Sequence, residues 1–221
     1  MNKAIVLLSG GLDSATTLYF AKAKGFKCYC LIFDYGQRHN REIASAKKIA
    51  KKTGCSWQVI KIKLPWKGSA LLDKKISLPA VDTNRLTGKI PFTYVPGRNI
   101  IFLSFALSFA ESVGAKSIFI GAHAQDYSGY PDCRPEFYQA FSKVISTGTK
   151  AGVEKKPIKI ETPLIHKSKA QIIKLGLRLG VPFKLTWSCY HGGAKPCQKC
   201  DSCYFRNKGF KELGKIDPLL N

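Results

Sequence analysis

The sequence predicts an α/β fold, a mostly parallel sheet flanked by helices with a small C-terminal cysteine-bearing segment. Three observations point there. Apolar runs of strand length alternate with helical stripes along most of the chain. The first run, Lys3 to Leu8, is continuously apolar after its lysine, as in a strand buried on both faces. A glycine turn, Ser9-Gly10-Gly11, then joins that run directly to a helical stretch.

The elements follow in order. Asp13 to Lys24 reads as a helix stopped by Gly25, and Lys27 to Phe33 as a second buried strand. Arg41 to Thr53 carries Ile43, Ala46, Ile49 and Ala50 on one stripe and ends at Gly54. Trp57 to Leu64 alternates apolar and basic residues, which predicts a strand nearer an edge. Residues 65–97 lose periodicity and carry Pro65, Pro79, Pro91 and Pro96, an irregular insertion of the sort that is usually functional. Asn99 to Val113 is apolar nearly all round, so a buried helix is expected there. Lys116 to Ile120 is a fourth strand, Pro135 to Ser146 a helix and Ile158 to Ile160 a short strand. Ser168 with Gln171 forms a capping-box pattern before the Ile172, Leu175, Gly176, Leu179 stripe, closed by Gly180 and Pro182. Residues 1–186 form the main domain; 187–221 form a cysteine-bearing segment packed on it. No internal repeat is visible.

The chain has 221 residues, with 36 Lys+Arg against 14 Asp+Glu, a net charge of +22. With 45% hydrophobic and 23% charged residues, a disordered or low-complexity chain is excluded. The basic excess is spread along both halves rather than held in a tail, and it attracts polyanions such as nucleotides or tRNA. The longest apolar stretch, Ile100 to Ala110, is too short to span a bilayer. Only Ala4 to Leu8 follows Lys3 before the glycine turn, too short for a signal-peptide core. Eight cysteines without an export signal imply a reducing compartment, so a cytoplasmic protein is expected.

Chemistry is to be sought just after Leu8, Phe33 and Ile120, where parallel strands end. Ser9-Gly10-Gly11-Leu12-Asp13-Ser14 lies between first strand and first helix. Paired glycines let backbone N–H groups face an anion, and the helix N-terminus adds its dipole. Ser9 and Ser14 supply hydroxyls, while Asp13 is placed to hold Mg²⁺ or to cap the helix. A tight turn with an Asp/Ser cap is the plainer alternative; the strand context and both serines favour a phosphate site. No Gly-Lys-Ser/Thr follows, so it is not a Walker loop.

Cys189, Cys197, Cys200 and Cys203 form C-x7-C-x2-C-x2-C. Four thiolates within fifteen residues suit one tetrahedral Zn²⁺ with no open position, hence a structural site. An iron–sulfur cluster, a redox pair or free thiols are the alternatives. Cys28, Cys30 and Cys55 read as packing residues.

The segment His123 to Glu136 is dense in hydrogen-bonding groups. In it, Asp132 is suited to accept from the ring N–H and exocyclic amine of a guanine-like base. Arg134 is suited to pair with a substrate carboxylate, and Tyr127 or Tyr130 to stack on the base. A solvated polar loop would have the same composition.

Five strings carry a resemblance: Leu8-Ser-Gly-Gly-Leu-Asp-Ser14, Phe33-Asp-Tyr-Gly-Gln-Arg-His39, Val95-Pro-Gly-Arg-Asn99, Asp126-Tyr-Ser-Gly-Tyr-Pro-Asp-Cys-Arg-Pro-Glu136 and Thr186-Trp-Ser-Cys-Tyr190. The first resembles the PP-loop of ATP pyrophosphatases; together they resemble the 7-cyano-7-deazaguanine synthase family. The resemblance implies a Rossmann-like, adenine nucleotide alpha hydrolase-like sheet. It also implies conversion of 7-carboxy-7-deazaguanine, ammonia and ATP to the nitrile through adenylated acid and amide, in the making of queuosine or archaeosine precursors.

The site residues it implies are as follows. Pyrophosphate sits on Leu8, Ser9, Gly10, Gly11, Leu12, Asp13 and Ser14, with Mg²⁺ neutralising charge, and Asp34, Tyr35, Gly36 and Gln37 lie near the adenosine. Arg98 and Asn99 contact phosphate or the substrate carboxylate; Asp126, Tyr127, Tyr130, Asp132 and Arg134 hold the base. Ser9, Asp13, Ser14 and Arg98 carry the chemistry. Lys167 is a weaker cation candidate, His123 is given no catalytic role, and Cys133 packs beside the base. A homodimer is expected.

Two other readings fit the same sequence. A PP-loop enzyme that thiolates tRNA would use the +22 charge, but needs a free reactive cysteine. A noncatalytic zinc module for nucleic acid would leave the PP-loop unexplained.

Overall fold

The computed structural model describes residues 1–78, 90–123 and 129–220. Five strands form one parallel sheet: β1 (Lys3–Leu7), β2 (Lys27–Asp34), β3 (Ser56–Lys61), β4 (Ser117–Phe119) and β5 (Lys159–Glu161). The order across the sheet is β3-β2-β1-β4-β5. Consecutive strands pair from β1 outward to β3, after which the chain crosses back to lay β4 on the other side of β1. The switch point is therefore the gap between β1 and β4, where open α/β sheets bind ligands.

The helices are α1 (Leu12–Ala23), α2 (Arg41–Lys52), α3 (Arg98–Val113), α4 (Pro135–Gly148), α5 (Lys150–Val153), α6 (Lys169–Arg178) and α7 (Asp201–Glu212). Side chains of β1 alternate between two cores, as the period of a strand requires. Ala4, Val6 and Leu8 pack with α1, α2, α6 and Phe210 of α7; Ile5 and Leu7 pack with α3 and α4. The expected edge position of β3 holds, and its side chains are exposed or half-buried. The capping box of α6 also forms: Gln171 N–H donates to Ser168 Oγ at 3.3 Å, and Ser168 N–H to Gln171 Oε1 at 3.0 Å. Within 65–97 the described residues hold turns and no helix or strand before α3. No helix among the described residues is long and apolar enough to cross a membrane.

One expectation is corrected. The α3 helix is not buried all round: Leu103, Ala106, Leu107 and Ala110 face the core, while Ile100 and Phe105 stand 48% and 41% exposed. An all-apolar helix on the outside of a sheet has one face left over, because only one side meets the strands.

The C-terminal segment is continuous with the main core rather than detached. Gly209 lets α7 approach α6 closely; a Cβ there would lie 2.8 Å from Ile173 Cδ1. Arg206 is buried and forks onto Asp217, with Nε at 2.5 Å from Oδ2 and Nη2 at 2.8 Å from Oδ1. It also donates to Thr186 Oγ1 at 2.7 Å and to the Phe183 carbonyl at 3.1 Å. Removing one partner of such a pair leaves a buried charge unmatched. Arg206→Met is expected to cost about 3–5 kcal/mol in denaturant unfolding. The double variant Arg206→Met/Asp217→Leu should recover much of that loss, and equal instability of both would discount the pair.

Candidate functional site

The phosphate loop occupies the switch point because two glycines permit close approaches there. Gly10 has φ +87°, and a Cβ on it would lie 2.3 Å from the Glu42 carbonyl oxygen of α2. Gly121, just after β4, lies against the start of α1, and its Cβ would be 3.0 Å from Ser14 N. Ser9 Oγ and Ser14 Oγ are 3.0 Å apart across the loop, and Gly11 N–H donates to Ser9 Oγ at 3.3 Å. The N-cap of α1 is Gly11, which has no capping side chain, and Leu12 N–H meets only Ser188 Oγ at 3.5 Å, so the amides of Asp13 and Ser14 remain available to an anion.

Beside the loop is a cavity with two adjoining lobes of about 290 Å³ and 240 Å³. Leu8, Ser9, Gly11, Asp13, Ser14, Tyr35, Arg98 and Asn99 line the first, and Leu12, Asp13, Arg98 and Tyr130 the second. Gly10 instead packs against α2. Asp13 and Arg98 face both lobes.

Asp13 is the electrostatic centre. Lys169 Nζ lies 2.7 Å from Asp13 Oδ1 and 2.8 Å from His123 Nε2, and that ring nitrogen is 3.7 Å from Asp13 Oδ2. Burial alone would raise the Asp13 carboxyl, but Lys169 and then His123 pull harder and hold it below the ordinary value. The cation at the site is therefore Lys169, while Lys167, the candidate that the sequence offers two residues earlier, lines neither lobe. His123, given no role, belongs to the same cluster. The missed signal lay in α6: its capping box fixes the helix start at Lys169, and α1 and α6 pack together.

Other site residues take up places the sequence could not specify. Arg98, the first residue of α3, donates from Nη1 to Tyr35 Oη at 3.2 Å. Tyr130 Oη is 2.5 Å from Thr93 Oγ1. Gln37 folds back: its Oε1 accepts from Tyr35 N–H at 2.9 Å and its Nε2 donates to the Phe33 carbonyl at 3.2 Å. It builds the turn after β2, and neither it nor Asp34 nor Gly36 lines the cavity. Asp132 is buried against the N-terminus of α3, where Oδ2 accepts from Asn99 N–H at 3.2 Å. Neither Asp132 nor the exposed Arg134 lines the cavity. Asp126 and Tyr127 lie outside the described residues. Cys133 lines both lobes, and burial pushes its thiol up to about 12.

The four C-terminal cysteines converge, with all sulfurs within 4.8 Å of one another, a group fit to hold a metal ion. Cys189 Sγ accepts from the N–H groups of His191 and Cys197, each at 3.3 Å, and Cys197 Sγ from those of Lys199 and Cys200, each at 3.4 Å. The neighbouring thiols of Cys200 and Cys203 first, and then the N–H groups of Cys197 and His191, hold the Cys189 thiol down to about 4. Cys28, Cys30 and Cys55 are buried in the core, as expected of packing residues.

A parallel sheet with a phosphate loop at its switch point and a four-thiol segment beside it defines a PP-loop type of nucleotide-binding α/β protein. The chain belongs to the QueC family: the model for "Queuosine biosynthesis protein QueC" matches residues 3–214. It is 54% identical over 221 residues to a 7-cyano-7-deazaguanine synthase of Trichodesmium erythraeum, covering 99% of this chain and 100% of that one. It is 50% identical over 217 residues to the protein of that name in Thermoplasma acidophilum, covering 98% and 91%. Among solved structures, NMN synthetase from Francisella tularensis shares the fold. That likeness has a TM-score of 0.51 at 14% identity, covering 99% of this chain and 80% of that chain.

The Asp13–Lys169 pair makes a direct prediction. In Lys169→Met the Asp13 carboxyl carbon should titrate at higher pH than in the wild type, measured by NMR. In the wild type a depressed carboxyl stabilises the fold above the unfolded value of about 3.9, and that stability is lost as pH falls through the lower folded value. The variant should lack this acid-side loss. An unchanged titration would remove Lys169 as the partner.

Proposed function

We propose that the chain is an ATP-dependent ligase that converts 7-carboxy-7-deazaguanine and ammonia to 7-cyano-7-deazaguanine. The single observation that carries this reading is the phosphate loop opening onto a cavity whose one shared carboxylate, Asp13, is held ionised by Lys169. A carboxylate is a poor acyl donor, so its oxygen first attacks the α-phosphorus of ATP and releases pyrophosphate. Ammonia then displaces AMP to give the amide. A second adenylation, on the amide oxygen, followed by loss of AMP leaves the nitrile. One site serves both activations because the two oxygens occupy similar positions.

The residues divide the work by chemistry. Ser9, Gly11, Ser14 and the first-turn amides of α1 would receive pyrophosphate, and Lys169 would neutralise charge on it. Asp13, ionised and next to the phosphate cradle, would hold Mg²⁺, which arrives with ATP and supplies further charge stabilisation. Tyr35, with Arg98 fixed on its hydroxyl, forms the wall we assign to the adenosine. Asn99, Tyr130 and Arg98 support the base and its carboxylate, together with Asp126 and Tyr127. Asp132 contributes by holding the N-terminus of α3, and Arg134 is the N-cap residue of α4.

For the cysteine group we propose one structural Zn²⁺. A tetrahedral ion with Zn–S of about 2.3 Å sets its sulfurs about 3.8 Å apart. The sulfurs here lie within 4.8 Å, and Cys197 and Cys203 are 4.0 Å apart. An iron–sulfur cluster is bulkier than one ion and would spread its thiolates further. A cytoplasmic homodimer is the assembly we infer, with the uncovered side of α3 in support.

Two tests follow. Mass spectrometry of 7-carboxy-7-deazaguanine with ammonium, Mg²⁺ and ATP should show the nitrile together with AMP. Asp13→Ala should reduce AMP formation by at least about 100-fold while the protein stays folded. Accumulation of the amide alone would shorten the reaction, and AMP formed only on adding tRNA would favour a thiolating enzyme. In the second test, Cys200→Ser should lose one zinc per chain and soluble protein together, read by metal analysis. A stable, active, zinc-free variant would overturn the structural role.

A further inference from the structure

On the reading above, each turnover removes all four hydrogens from one ammonium nitrogen. Two are lost as the amide forms and two as it becomes the nitrile. A cavity walled by side chains needs a fixed group to take them.

We propose that Glu42 is the proton acceptor of the site, binding ammonium in the larger lobe and deprotonating it as nitrogen attacks the adenylated carboxyl carbon. Glu42 takes one proton from the bound ammonium, and the electron pair of that N–H bond becomes the lone pair that forms the C–N bond. Once that proton has passed to solvent, Glu42 takes a second from the same nitrogen as the C–O bond to AMP breaks with its electron pair leaving on AMP, which gives the amide. In the second half the same carboxylate takes one N–H proton as the amide oxygen is adenylated and, reset again, the last one as the C≡N bond closes and that oxygen departs on the second AMP. No oxidant or reductant is required.

Three observations carry this assignment. Glu42 lines the lobe that also contains Ser9, Gly11 and Ser14 of the phosphate loop, where an acyl phosphate would form. Its backbone is locked there, because its carbonyl oxygen is the atom that Gly10 must be a glycine to accommodate. Its carboxylate has no hydrogen bond or ion pair to any described residue, with Arg98 acting on it only at longer range, which leaves its oxygens open to a ligand.

The other titratable groups of the lobe are unsuited to the task. Asp13 is engaged by Lys169, and the thiol of Cys133 and the hydroxyls of Tyr35 and Tyr190 are all shifted upward by burial. Arg98 donates to Tyr35 and stays a cation. Burial raises Glu42 to about 7, with Arg98 drawing it the other way, which suits an acceptor working near neutral pH.

The proposal depends on the adenylation reading, and the test separates the two. Wild type and Glu42→Gln are compared in three assays: pyrophosphate exchange into ATP driven by 7-carboxy-7-deazaguanine, product formation with ammonium, and hydroxamate formation with hydroxylamine, which is largely unprotonated at neutral pH. Exchange and hydroxamate formation should survive in Glu42→Gln, while the ammonium reaction falls by about 100-fold or more. At saturating ammonium the wild-type rate should rise with pH through about 7, and the variant should lack that limb. Loss of exchange would make Glu42 part of the ATP site, and an equal fall with both nucleophiles would make it a positioning residue; either result overturns the proposal. Absence of exchange in the wild type would instead overturn the adenylation reading itself.

Discussion

The buried Arg206–Asp217 pair is the interaction on which the shape of the site depends. Arg206 spends its remaining donors on the Phe183 carbonyl and on the hydroxyls of Thr186 and Ser188. Those partners belong to the strip of chain that closes over the phosphate loop. Ser188 Oγ accepts from Leu12 N–H at 3.5 Å, and Trp187 N–H donates to the Gly10 carbonyl at 2.9 Å. The C-terminal segment therefore sets the conformation of a loop about 180 residues before it in sequence. A metal held by the Cys189–Cys203 group would have a mechanical purpose in this arrangement. It would fix the far end of the strip whose near end holds the loop.

A second set of contacts ties the same strip to the opposite side. His39 Nε2 is 3.0 Å from the Cys189 carbonyl, Arg41 Nε donates to the Gly192 carbonyl at 3.2 Å, and the Arg41 guanidinium lies over the Trp187 ring at 4.8 Å. Arg38 reaches instead into the insertion, donating to the carbonyls of Ala70, Asp73 and Ile76. The residues from Gln37 to Arg41 thus join the end of β2 to both walls of the cavity. Their density of cations and hydrogen-bonding groups resembles a binding motif in sequence, yet in the fold most of those groups are used on backbone carbonyls. A charged side chain satisfied by main chain stiffens a turn without presenting charge to a ligand.

The sequence carried the fold well, because its signals are local. Continuous apolar runs, glycine stops and the Ser168–Gln171 capping box each report on a few neighbouring residues, and their order leaves few ways to assemble a parallel sheet. The phosphate loop and the cysteine group were legible for the same reason: each lies within one short stretch. What escaped was pairing across distance. Lys169 meets Asp13 over 156 positions, and nothing in either neighbourhood announces it. Asp132 reads as a base-recognising carboxylate by its chemistry alone, but the turn at Pro131–Cys133 aims it at α3. Composition predicts a buried α3 because it counts apolar residues and does not count the faces available to cover them.

Charge shows why local reading and structure must be combined here. A net +22 describes a field that draws in anions, and ATP and a carboxylate substrate are both anions. Inside the cavity the signs are mixed: Arg98, Lys169 and Arg206 stand with Asp13, Glu42 and Asp201. An all-cationic pocket would hold pyrophosphate and AMP as firmly as ATP and would be slow to release them. On the proposed reaction it would also repel ammonium, the nitrogen donor. Carboxylates among the cations answer both difficulties. Asp13, already paired with Lys169, limits the net positive charge facing the phosphates. Glu42, with no such pair, leaves a negative position where a small cation can enter and lose its proton. The protein can thus be net basic while the proposed chemistry depends on two acids, distinguished by whether a lysine reaches them.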